Sequence, residues 1–131
     1  MLIDSNIFLE VILEQERCDK CKVFLRGVLE GATIAYLSTF SIDSIVLSMM
    51  WKKAEKWKIE TFLNSLIGYK GLRFYQIKIK DRLKALKLMQ KYSLDYEDAI
   101  ILQASISTNS EEIVSLDRHF DRVKEIKRIE P

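Results

Sequence analysis

The chain has 131 residues, 48% of them hydrophobic, enough to bury a core without metals or disulfides and in keeping with one globular domain over residues 1–131. Its 21 basic and 19 acidic residues leave a formal charge of +2, so no whole-molecule field selects nucleic acid or membrane, and any site for a polyanion has to be local. No apolar stretch reaches the roughly 18 to 20 residues of a membrane span and no basic leader precedes an apolar block, so a cytoplasmic protein with no membrane partner is expected.

In chain order, MLID reads as a short strand, and from about Asn6 to Glu14 the pairs Ile7 and Val11, Phe8 and Ile12 repeat at helical spacing. Cys18 and Cys21 form a lone CDKC with no second pair and no nearby His; a closed four-ligand zinc site cannot be completed there, and two ordinary thiols on a helix are expected. KVFLRGVLE continues as a helix that Gly31 ends, and TIAYLST reads as a second strand. From about Ile42 to Leu66 the pattern is helical, with a break expected between Trp57 and Thr61 and a close at Gly68 to Gly71. LRFYQI is a third strand, residues 80–92 and about 96–107 are two helices separated by YSLD, EEIVSL is a fourth strand, and EIKRIE is a short fifth at the edge.

Strands that alternate with helical segments too long for hairpins imply the α/β class, here a three-layer α/β/α domain with a central parallel sheet of four or five strands. In such sheets ligands gather outside the carboxyl ends of the strands, at the crevice where strand order reverses. The acids at strand ends are therefore the candidates for chemistry. Asp4 follows the first strand, Asp117 follows IVSL at the end of the fourth, and Asp98 lies near the start of the helix beginning around Tyr96. If the first and fourth strands are neighbours, Asp4 and Asp117 stand side by side and a helix across the crevice aims Asp98 at both.

Three carboxylates in one crevice repel, which raises at least one pKa unless a cation compensates. Hard divalent ions with oxygen ligands are the natural compensation, so Mg²⁺ or Mn²⁺ is expected, and metal-dependent phosphodiester hydrolysis is the reaction class. Each acid also has a plainer explanation. Asp4 or Asp117, taken alone, reads more naturally as a helix cap, and Asp98 as a first-turn acid. Asp98, however, shares its helical face with Leu94, Ile101, Leu102 and Ser105, and an unpaired charge facing inward needs a reason. Asn6 serves either as a polar partner at the site or as a cap, and Ser115, two residues before Asp117 on the same strand face, can orient that carboxylate.

D-S-N after the first strand, D-A-I-I on a late helix and S-L-D-R-H-F near the end together resemble the PIN-domain ribonucleases, especially VapC-type toxins. The resemblance covers the whole chain. It implies an acidic pocket binding Mg²⁺ or Mn²⁺ and endonucleolytic cleavage of RNA, with Asp4, Asp98 and Asp117 as catalytic and metal-binding acids, Asn6 and Ser115 in support. It also implies a homodimer and a small antitoxin protein that blocks the groove.

Two departures from the family pattern stand out. A Glu is usual at the start of the helix after the second strand, where this chain has Ser44, with Asp43 one residue off and turned by about 100°. Asp43 is then a further metal candidate or simply an N-terminal helix acid. His119 stands where an acid often follows the Asp117 motif, and a lone His is more commonly solvated than ligating. Asp121 or Asp95 can supply the missing charge, although capping explains Asp95 equally well. WKKAEKWK mixes lysines with Trp51 and Trp57, which fits base stacking along a phosphate track or a solvated face with two core anchors. No motif identifies the substrate-binding residues.

The competing readings are a degenerate PIN-like domain that binds RNA or protein without cutting, suggested by the Asp43/Ser44 mismatch, and a phosphoacceptor domain built on Asp4. The latter needs a lysine or similar cation at a late strand end, where IVSLDRHF has another acid.

Overall fold

The computed structural model describes residues 1–131. Five strands, β1 (Leu2–Ile3), β2 (Ala35–Ser38), β3 (Leu72–Tyr75), β4 (Glu112–Val114) and β5 (Lys127–Ile129), form one sheet in the order β3-β2-β1-β4-β5, every neighbouring pair parallel. Leu2 pairs with Tyr36 on one side and Ile113 on the other, so β1 is central. The chain steps outward from β1 to β2 and β3, then returns to build β4 and β5 on the opposite side. The reversal places a crevice between β1 and β4, as expected from the pattern of strands and helices.

Six helices cover the sheet: α1 (Ser5–Ile12), α2 (Cys18–Glu30), α3 (Thr39–Trp51), α4 (Lys56–Ile67), α5 (Ile79–Tyr92) and α6 (Tyr96–Ser107), and a short 3-10 turn spans Arg118–Arg122. Because consecutive strand residues face opposite ways, Ile3 enters one apolar cluster and Leu2 the other. The first cluster joins Ile3 and Leu37 to Phe8 of α1, Val28 of α2, Met49 of α3 and Phe62 of α4. The second joins Leu2 and Ile113 to Ala85 of α5, Ile100 and Leu102 of α6, and Phe120. Two buried faces on one parallel sheet make the three layers.

Two expectations about α3 and α4 need correction. The break falls at Lys52–Glu55, before Trp57 rather than after it, where Lys53 adopts a left-handed backbone (φ 58°) and Glu55 is extended ahead of α4. WKKAEKWK carries no Gly or Pro, so composition gave no signal for that reversal. Helix α3 also starts earlier than expected, because Ser38 caps it by accepting the Ser41 N–H at 3.0 Å. Asp43 therefore stands beyond the first turn, which holds no acid, and a dipole role there does not apply.

Gly31 ends α2 with a left-handed backbone (φ 86°), as its position suggested. Gly71 is required by close approach: a Cβ there would lie 2.0 Å from the Thr33 carbonyl oxygen. Cys18 and Cys21 are free thiols buried on α2, and burial pushes the Cys21 thiol up. No helix is long and apolar enough to cross a membrane.

Candidate active site

Asp4 joins β1 to α1 at the reversal point. Its N–H donates to the Val114 carbonyl at 3.0 Å, extending the β1–β4 ladder, and its backbone is that of a helix N-cap (φ −77°, ψ 149°). Yet its side chain makes no capping bond. The carboxylate instead accepts from Ser115 Oγ at 2.5 Å and Asn6 Nδ2 at 2.6 Å on Oδ2, and from Ser5 Oγ at 3.3 Å on Oδ1. It is 3% exposed and forms no ion pair with any Lys or Arg. Burial pushes its pKa up to about 7, opposed by the Ser115 bond and reinforced by the charges of Asp98 and Glu97.

Asn6 and Ser115 fix that carboxylate. Asn6 spans the crevice: Nδ2 donates to Asp4 and, at 3.1 Å, to Ser115 Oγ, while Oδ1 accepts the Leu116 N–H at 3.3 Å. The Ser115 hydroxyl orients Asp4, on the neighbouring strand, rather than the Asp117 carboxylate, and meets Asp117 only by accepting its N–H at 2.9 Å. A one-strand view could not show this, because the partner lies 111 positions away.

Asp117 follows β4 and caps the 3-10 turn by accepting the His119 N–H at 2.8 Å. Asp98 occupies the first turn of α6, buried, as its inward face suggested. His119 Nδ1 lies 3.3 Å from Asp98 Oδ2 and 3.1 Å from Asp117 Oδ1, and one donor atom from each of the three residues falls within 4.8 Å of the others. Burial, with Asp95 and Asp117 adding to it, raises Asp98 to about 6, while His119 pulls it down. Asp95 caps α6 by accepting the Asp98 N–H at 2.8 Å. Asp121 is turned away into a two-point pair with Arg128. Asp43 is exposed and lines a groove along α3 rather than the cluster at Asp98.

Two residues at the site escaped the sequence reading. His119, taken there for a solvated side chain, bridges two acids. Glu97, the acid beside Asp98, accepts from Ser44 Oγ at 2.5 Å and Ser5 Oγ at 3.4 Å, which brings it to Asp4. The sequence signal for Glu97 was the acid pair opening α6; its destination depended on α1 and α3 both presenting a serine.

The structure thus brings Asp98, Asp117 and the His119 imidazole into one group and sets Asp4, with Glu97, beside it, near enough for Asp98 and Glu97 to raise its pKa; no Lys or Arg pairs with Asp4, Glu97, Asp98 or Asp117. A buried, uncompensated Asp4 beside further acids and a donor set dominated by oxygen fit a hard divalent cation.

Solved structures of the same fold share little sequence with the chain. VapC20 of Mycobacterium tuberculosis, a Sarcin-Ricin loop cleaving toxin, superposes with a TM-score of 0.75 at 10% identity over 96% of this chain and 98% of its own. VapBC2 from Rickettsia felis, bound to a DNA fragment from its promoter, gives 0.70 at 16% identity, covering 98% and 96%. A toxin-antitoxin complex from Klebsiella pneumoniae gives 0.69 at 17% identity, covering 95% and 93%. No curated protein matches the sequence. The PIN domain family model matches residues 1–126, and with the parallel sheet and the acids at its reversal point already in view, the chain belongs to the PIN domain family.

Proposed function

We propose that the protein is a metal-dependent endoribonuclease, the toxin of a toxin-antitoxin pair. The observation that carries this is Asp4: a helix-capping position whose carboxylate is buried, uncapped and unpaired by any basic side chain, beside Asp98. Asp4, Asp98 and Asp117 would hold Mg²⁺ or Mn²⁺. When bound, such an ion activates water for attack and neutralises charge on the phosphodiester. Asn6 and Ser115 keep the Asp4 carboxylate turned to the crevice, and their bonds leave it little freedom to swing toward solvent. His119, between Asp98 and Asp117, presents Nδ1 to both carboxylates, 3.3 Å and 3.1 Å away.

A groove leaves this site past Glu97, Ser44, Phe40 and Leu47 to Trp51 and Lys52. Trp51 is 86% exposed and is not a core anchor. An indole and an ammonium at the end of a groove suit a stacked base and its phosphate, so RNA is the substrate proposed. A second copy of the chain and a small antitoxin are the protein partners proposed, in the cytoplasm. Exposed apolar residues on α3 (Leu47, Met50) and α5 (Ile79, Leu83, Leu86) support contact with proteins.

The test is cleavage of a mixed-sequence RNA pool with Mn²⁺ or Mg²⁺ and with chelator. Metal-dependent cleavage is expected, falling by about 100-fold or more in Asp4→Asn and Asp98→Asn. Undiminished cleavage in both variants would overturn the assignment. Ser44, standing where the family pattern has a Glu, favours a second reading, a PIN-like module that binds RNA or protein without cutting. Absence of cleavage by a metal-binding wild type would select it.

A further inference from the structure

We propose that Glu97 is a metal-ligating acid of this site, delivered to it by Ser44. The inference rests on the metal-binding reading above. Asp98 points into the crevice from α6, and its neighbour Glu97, about 100° around the helix, would ordinarily turn to solvent. It does not. Ser44 on α3 donates to Glu97 Oε1 at 2.5 Å, and Ser5 Oγ on α1 lies 3.4 Å from the same oxygen. Ser5 Oγ is also 3.3 Å from Asp4 Oδ1, so a single hydroxyl reaches both carboxylates.

This arrangement sets two like charges close together beside a buried acid, which is unfavourable unless a cation joins them. Both hydroxyls land on Oε1, leaving Oε2 to accept from elsewhere. The Ser44 bond is the specific element: a serine on one helix holds a glutamate on another, 53 positions away. Asp43, one residue along, is exposed and takes no part in this contact. Glu97 thereby supplies to the Asp4 side of the crevice a carboxylate that α3 does not carry.

The experiment is calorimetric titration of Mn²⁺ into wild type, Glu97→Gln, Ser44→Ala and the double variant Ser44→Glu/Glu97→Gln, with metal-free melting curves for each. Glu97→Gln is expected to bind Mn²⁺ at least about tenfold more weakly. It should melt no lower than wild type without metal, since a repulsion with Asp4 is removed; a merely structural role would lower the melting temperature. Ser44→Ala frees Glu97 without removing its charge and should weaken binding less, and the double variant should regain part of the lost affinity by placing the carboxylate on α3. Wild-type affinity in Glu97→Gln, with metal-dependent RNA cleavage intact, would overturn this proposal alone. Failure of the wild type to bind Mn²⁺ would overturn it together with the nuclease reading.

Discussion

Asp4 and Asp98 make the metal-free protein sensitive to pH in a defined direction. Both have folded-state pKa values raised above the usual carboxylate value, to about 7 and about 6, first of all by burial. Between pH 4 and 7 the folded state therefore holds more protons than the unfolded chain, and stability falls as pH rises through that window. The slope is at most about 1.4 kcal/mol per pH unit for each group. Urea midpoints taken at pH 5, 6 and 7.5 without metal should decline, less steeply in Asp98→Asn, and saturating Mn²⁺ should flatten the decline by compensating the charges. A metal-free stability that climbs from pH 5 to 7 would contradict the electrostatics of the crevice.

At the scale of elements, α5 shows a polar knot that serves packing. Asp81 is buried and accepts from the Lys78 N–H, Tyr75 Oη and Ser107 Oγ, each at 2.8 Å, tying the start of α5 to the end of β3 and to α6. Burial works to raise its pKa, but these donors prevail and hold it below the usual value. Its contribution is thus fully present above pH 4 and is lost as pH falls through its folded pKa. Asp81→Ala should cost about 2–3 kcal/mol at pH 7, read as a lowered urea midpoint, because three donors lose their acceptor. Asp81 lies outside the crevice, so the RNA cleavage proposed above should be unchanged in this variant. Among the other elements, those with periodic apolar positions and chemical punctuation were legible in advance, as Gly31 marked the end of α2; Asp95, which read equally as a cap or as an acid of the site, caps α6. The α3–α4 junction was not, because Lys53 turns the chain in a left-handed conformation that its side chain does not advertise.

For the molecule as a whole, the two apolar clusters lie on opposite faces of the same sheet and share its central strand, through Ile3 and Leu2. Residues 1–131 are expected to unfold as one unit, with near- and far-ultraviolet signals melting together; two separated transitions would instead mark separable domains.

The sequence by itself determined the α/β class and the parallel strands, because strand and helix periodicities are local, and it singled out Asp4, Asp98 and Asp117 as candidates by their places at strand ends and near the start of a late helix. Only the tertiary structure decided where the side chains meet: Ser115 with Asp4 instead of the Asp117 carboxylate, His119 between two acids, and Glu97 drawn by Ser44 toward Asp4. Asp98–His119, Ser44–Glu97 and Asp4–Ser115 join residues 21, 53 and 111 positions apart, and a hydroxyl or carboxylate bonds to whatever the fold brings within about 3 Å, which no local pattern encodes.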